Sequence, residues 1–239
     1  MKQVITIAKR ELGSFFNSLV AYILLFAFLG FTGFFTWLEG NGDIFFRKQA
    51  DLNVFFQIAL WTLFFFIPAI TMRLLAEEKK SGTIELLLTK NVTNGQVILG
   101  KFLAALSMVG IALLATFVYY ISVSRLGNFD HGATLCGYLG LLLLSSAYIG
   151  IGLFASSITH NQIVAFLLAL LIGICFQFVF GILANSSSGW MAELFDTLSI
   201  TNHYSSISRG VIDSKDLVYF LSITLMGLVL SEYMISKRK

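Results

Sequence analysis

Gly95-Gln-Val-Ile-Leu-Gly100-Lys101 matches G-x-x-x-x-G-K, the pattern of a loop that cradles phosphates with backbone N–H groups and a lysine. Such a site needs Ser or Thr next, to hold magnesium, and Phe102 stands there instead. The string also runs straight into an apolar stretch, where a phosphate loop would follow a strand. ATP hydrolysis by this chain is therefore excluded. Glu77-Glu78 invites comparison with membrane proteases that carry Glu-Glu-x-x-x-Arg, but the sixth position is Gly82. There is no G-x-S-x-G nucleophile elbow, H-E-x-x-H pair or Cys/His metal spacing. His131, His160 and His203 are isolated in different loops, and Cys136 and Cys175 sit in apolar runs and read as small apolar residues. Catalytic, cofactor-binding and metal-binding residues are thus expected to be absent, as is any site for nucleic acid.

The elements that carry these residues are apolar. Of 239 residues, 57% are hydrophobic and 12% charged, against roughly 45–50% and about 25% in soluble domains. Phe alone accounts for 24 residues, and 16 Lys+Arg with 13 Asp+Glu cannot cover a soluble surface. A bilayer core of about 30 Å takes ~20 helical residues. Six stretches meet or approach that length, at about 15–37, 54–72, 102–123, 135–156, 163–183 and 217–235. Backbone polar groups in lipid must be satisfied within the segment, so these are helices. The fold class expected is an all-α integral membrane protein with six spans, and the first stretch is too long for a cleaved signal peptide.

Lys and Arg in the loops set the orientation. With the N-terminus in the cytoplasm, eleven lie inside: Lys2, Lys9, Arg10, Arg73, Lys79, Lys80, Lys90, Lys101, Lys237, Arg238 and Lys239. Five lie outside: Arg47, Lys48, Arg125, Arg209 and Lys215. Both termini are then cytoplasmic. Before the first span, Ile5, Ala8, Leu12, Phe15 and Phe16 share one helical face and Lys2, Thr6 and Lys9 the other. That pattern fits a short amphipathic helix in the membrane interface, or a first span that starts early with snorkelling lysines.

The segment from Arg73 to Thr93 is more than a connection. A charged helical turn is followed by Ser81-Gly82, which bends or breaks it, and then by Ile84-Glu85-Leu-Leu-Leu, too short to span. An exposed Ile/Leu patch usually marks a contact site. Thr93 and Gln96 fit a capping box for the next helix. Pro68 removes a hydrogen bond to Phe64 and should kink the second span. In the fifth span, Ala165, Ala169, Gly173, Gln177 and Gly181 form a seam four residues apart, fit for internal helix packing or for a subunit interface. Ser146 with Gly150, and Gly152 with Ser156, offer similar seams in the fourth. Glu232, five residues before Lys237, is the charge closest to a mid-span position.

Ala76-Glu-Glu-Lys-Lys-Ser-Gly-Thr-Ile-Glu-Leu-Leu-Leu-Thr89 and Val97-Ile-Leu-Gly-Lys-Phe-Leu-Ala104 resemble the signature of ABC-2-type permeases, the membrane subunits of ABC transporters. The likeness extends to Phe154–Gln162 and to Arg209–Tyr219, and so covers essentially the whole chain as one permease domain, 1–239. Among such permeases it most resembles the gliding-motility-associated subunit of gliding bacteria. Where the family often has Pro after the Leu-Leu-Leu-Thr segment, this chain has Asn91-Val92. The resemblance implies a multi-pass protein of the bacterial inner membrane, paired with a second permease copy or paralogue and with a separate ABC ATPase that holds ATP and Mg. It implies a coupling helix in 76–90 seated on that ATPase. Glu77, Glu78 and Glu85 would be its polar contacts and Ile84, Leu86 and Leu87 its apolar ones, beside Thr83, with Gly82 setting the bend. Ser156, Ser157, Thr159 and Asn161 would form a smaller contact in the second inner loop, and residues 184–216 a re-entrant helical element at the outer surface, with Trp190, Leu194, Phe195 and Leu198 at helical spacing. Transport would be export. Two other readings stay open: a non-transporting anchor of a motility or secretion complex, and a gradient-driven transporter, against which the lack of mid-span carboxylates counts.

Overall fold

The computed structural model describes residues 1–38, 51–83, 92–127 and 129–237. Among them there are helices and no strands. In chain order these are α1 (Lys2–Phe16), α2 (Leu19–Trp37), α3 (Asn53–Lys80), α4 (Asn94–Ala115), α5 (Phe117–Val123) and α6 (His131–Ile158). Then come α7 (Gln162–Ile174), a π-helical turn (Cys175–Val179), α8 (Phe180–Ser186), α9 (Trp190–Leu198), α10 (Ile200–Ser208) and α11 (Ser214–Ser236). Five helical stretches are long and apolar enough to cross a membrane, and six if α1 and α2, bent by 76°, count as one. This is the all-helical multi-span architecture that the composition implies.

The boundaries differ from those read off hydropathy. The chain breaks at Asn17–Ser18, so the first span begins at Leu19 and α1 is a separate element. The second span is expected to end near Met72, yet α3 continues through Pro68 to Lys80. Its 28 residues reach about 42 Å at ~1.5 Å each, well beyond a ~30 Å hydrocarbon core. The third starts at Asn94 rather than 102, behind the Thr93/Gln96 capping box, and is interrupted at Thr116, between α4 and α5. Windowed hydropathy misses these extensions because their buried faces are apolar but their other faces are not.

The ends of α3 and α11, the starts of α4 and α7, and α1 lie at one end of the bundle, the terminal end. The distal end carries α5, α9, α10 and the start of α11. The centre is α6, with 78% of its most apolar window buried, and its closest neighbours are α11 and α3. Lipid tails give helices little hydrophobic reason to associate, so close backbone approach has to do it. A Cβ on Gly227 would run into the backbone of Gly150, so α6 and α11 touch backbone to backbone. Ser146 Oγ and Thr224 Oγ1 meet 3.0 Å apart in the same crossing. The other seam of α6 faces α3: a Cβ on Gly152 would run into Thr71, and Ser156 Oγ donates to Met72 O at 3.0 Å and accepts from Ala76 N at 3.0 Å.

Residues 184–216 form a helical element at the distal end. Gly189 (φ 68) opens α9, which lies against α8. Ile200, Tyr204 and Ile207 of α10 are buried under α6, where Gly140 leaves room for Tyr204 and Ile207. His203 stacks on Tyr219 at 3.9 Å and pairs through Nδ1 with Asp216 Oδ1 at 2.6 Å, tying α10 to α11. Of the apolar set at helical spacing, Trp190 and Leu194 face outwards.

Candidate functional site

At the terminal end three helices meet around charge. Gly100 lets α1 cross α4 closely, since a Cβ there would sit 2.6 Å from Ile7 Cγ2. Ile7 and Phe15 are the buried residues of α1, while Ile5 of the expected apolar face points outwards. The stripe Ile7–Glu11–Phe15 carries one acid, and it faces Lys101 of α4, whose Nζ lies 3.3 Å from Glu11 Oε1. Lys101 is fully buried, and its nearer partner is Glu78 Oε1 of α3 at 2.8 Å. Arg10 joins from α1, with Nη2 3.4 Å from Glu78 Oε1. The hydrogen bond to Glu11, opposed by partial burial, raises the Arg10 guanidinium above its already high pKa, so it stays charged at any working pH. Removing one member of such a buried group leaves the rest uncompensated, which costs far more than the group adds when complete.

This explains the imitation phosphate loop. Gly95 makes room for the Glu232 carboxylate, whose Oε1 would be 3.0 Å from a Cβ there and which lies over the start of α4. Gly100 makes room for α1, and Lys101 is the cation between α1 and α3.

The residues proposed from sequence fall into three groups. Glu77 is half exposed and turned outwards, with Arg73 Nε 3.5 Å from its Oε2. Arg73 in turn donates to Ser18 Oγ at the α1–α2 break. Glu78, one residue on, is turned inwards, its side chain 16% exposed against 52% for Glu77. Gly82 takes φ 70 just past the Ser81 C-cap of α3, a backbone state that glycine adopts at no steric cost. Thr83 is exposed and its hydroxyl meets Ser81 Oγ at 2.9 Å. Ile84, Glu85, Leu86 and Leu87 lie outside the described residues.

The four residues expected to form the second inner-loop contact, Ser156, Ser157, Thr159 and Asn161, are engaged within the chain. Ser156 and Ser157 are buried in the last turns of α6. Ser156 bonds into the ladder of α3, and Ser157 O accepts from Lys79 Nζ. Thr159 Oγ1 accepts from Asn161 N, and Asn161 Oδ1 caps α7 through Ile163 N at 2.9 Å. The end of α6 therefore grips the terminal-end extension of α3.

In the fifth-span seam, Ala165, Ala169, Gly173 and Gln177 are buried, facing α3 and α6. Gly173 accommodates Phe64, and Gln177 Oε1 accepts from Tyr148 OH at 2.6 Å. Gly181 is half-buried, facing Ser199. A spacing of four drifts about 40° per step on a 3.6-residue helix. The π turn at Cys175–Val179 takes up an extra residue and brings Gln177 back to the buried side.

Sequence reasoning missed Glu11 and the burial of Lys101. Lys101 lies 23 residues from Glu78 and 90 from Glu11 in the chain, so helical spacing cannot pair them. The available signal was an acid in the middle of the apolar stripe of α1 and a lysine inside an apolar run.

A model of the ABC-2 family of transporter proteins matches residues 5–235. The chain belongs to that family. No curated protein matches it. An ABC-2 chain is the membrane subunit of its transporter and not the ATPase, and it works with an ABC ATPase subunit. For such a subunit, a contact to the ATPase must be joined firmly to the spans. Here α3 runs unbroken from the distal end to Lys80, clamped by α1, α4 and the end of α6 just before Gly82.

Proposed function

We propose that this chain is the export permease of an ATP-driven transporter, and that the segment beginning at Glu77 is its coupling element. The observation that carries this is the continuity of α3 with the clamp. The helix that would bear an ATPase contact is the one fixed to α1, α4 and α6 by buried polar bonds. Glu77, Thr83, Ile84, Glu85, Leu86 and Leu87 would meet a cleft in the ATPase, with Gly82 as the bend. Glu78 serves as the anchor on the membrane-protein side. ATP and Mg would sit on the ATPase pair, and its closure would pull on α3. The terminal end faces the cytoplasm in this reading, supported by eleven of sixteen Lys and Arg on that side.

A second permease, a copy or a paralogue, would cover the outward face of α7. Ile163, Leu167 and Leu171 are exposed there, and only 22% of that span's apolar window is buried. The chain's likeness to the gliding-motility-associated permease supports a place in the inner membrane of a gliding bacterium, in its motility apparatus. The test is co-purification of the cognate ATPase with a tagged chain. Wild type should retain it, and Glu85→Arg with Leu86→Asp should lose it. ATPase retained by the double variant would move the coupling site elsewhere.

A further inference from the structure

Helix α1 has three different sides at about 100° per residue. Ile7, Glu11 and Phe15 turn inwards, the first and last buried and Glu11 meeting Lys101. Ala8, Leu12, Ile5 and Phe16 fall on the next side. Ile5 is 50% exposed there, and Phe16 meets the exposed Tyr22 of α2 edge to face at 6.0 Å. Lys2, Thr6, Lys9 and Arg10 make up the third side, and all four are exposed.

The third side is purely cationic because the one acid of α1, Glu11, is turned inwards. Arg10 is committed to Glu11 and Glu78. Among the described residues no carboxylate pairs with Lys2 or Lys9. These two lysines are seven residues apart, which puts them on one line along the helix, about 10 Å apart. That line borders the apolar side at Ile5 and Phe16.

The setting is a membrane surface. The first span begins at Leu19, and α1 is turned by 76° from it, so α1 runs crosswise at the level where the span starts. Leu19 and Tyr22 are exposed and continue the apolar side of α1 into the span. A helix that lies this way puts its apolar side among acyl chains and the lysines on its border among headgroups. A zwitterionic surface offers such lysines no net countercharge, and an anionic one does.

We propose that the Lys2–Lys9 edge of α1 docks on anionic lipid headgroups, and that this contact holds α1 against the Glu11–Lys101–Glu78 cluster. Lipid charge thereby becomes one of the forces that fix α3, whatever α3 touches beyond Gly82.

The test places the full chain in nanodiscs of phosphatidylcholine or of phosphatidylglycerol and follows amide hydrogen exchange across Lys2–Phe16. Each lysine at an anionic surface is worth about fivefold, so exchange in α1 should be about thirtyfold slower in phosphatidylglycerol at low salt. The difference should shrink as salt is raised from about 0.05 M to about 0.5 M. Lys2→Gln with Lys9→Gln leaves the buried cluster intact and should remove the difference between the lipids. Lys2→Arg with Lys9→Arg should keep it. Equal exchange in the two lipids, or a difference that survives the double glutamine substitution, overturns the proposal. Slowing that needs added ATPase and is equal in both lipids would assign this edge to a protein partner, and overturns it too. The lipid comparison is made without ATPase, so this proposal and the coupling role of the segment from Glu77 fail separately.

Discussion

The two ends of the bundle treat polar groups in opposite ways. At the terminal end the groups are charged, buried and mutually engaged: Lys101 lies within 3.3 Å of two carboxylates from two other helices. At the distal end, between α3, α8 and α10, a chamber of about 530 Å³ is lined by the neutral amides of Gln57, Asn185 and Asn202, and the buried hydroxyls of Ser199 and Tyr204 beside it have no hydrogen-bond partner. An engaged cluster is stiff and transmits displacement between helices. A neutral, unsatisfied wall is suited to binding and releasing something. A membrane subunit that is moved from one side and handles cargo toward the other needs both.

The sharpest way to break this comparison is Lys101→Met. It leaves Glu11 and Glu78 with only the half-exposed Arg10 as a cationic partner, and should cost about 3 kcal/mol in unfolding from detergent or bicelles. A loss below about 1 kcal/mol would mean the cluster is wet and not structural. Adding Glu78→Gln to that variant should restore about 0.5–3 kcal/mol, since the two sites share one network. Gly100→Val should push α1 off α4 at a cost of about 1–3 kcal/mol. Amide hydrogen exchange across Lys2–Phe16 should then rise, and unchanged protection there would show that α1 is held by something other than this crossing. The smallest effect is expected at the other end. Ser199→Ala with Tyr204→Phe removes groups that make no internal bond, so stability should shift by less than about 1 kcal/mol. A loss above about 2 kcal/mol would give those hydroxyls partners within the protein and erase the contrast.

The spans were legible because lipid imposes a composition that no soluble core requires, and Phe15–Trp37 or Leu217–Ile235 announce themselves by it. Their ends were not. Residues 73–80 and 94–101 continue as helix only because α1 and the end of α6 cover one side of each, and that cover comes from distant sequence. The segment from Ala76 to Thr89 was singled out by its mixed apolar and charged character, but nothing local distinguishes Glu77, which faces out, from Glu78, which faces Lys101. Ser156 and Ser157 looked like loop residues because the serines and the histidine that follow are polar. Helix α6 in fact runs on to Ile158 and spends those hydroxyl and carbonyl groups on α3. The distal chamber could not be read at all, since Gln57, Ser199 and Asn185 come from separate elements.

The most direct test of the account places a photo-crosslinking amino acid, benzoylphenylalanine, at Glu77 and separately at Asn202, in cells that also make the cognate ATPase. Both residues are exposed, one at each end of the bundle. The account predicts an adduct with the ATPase from position 77 and none from position 202. An adduct from position 202, with none from position 77, would invert the molecule and contradict it.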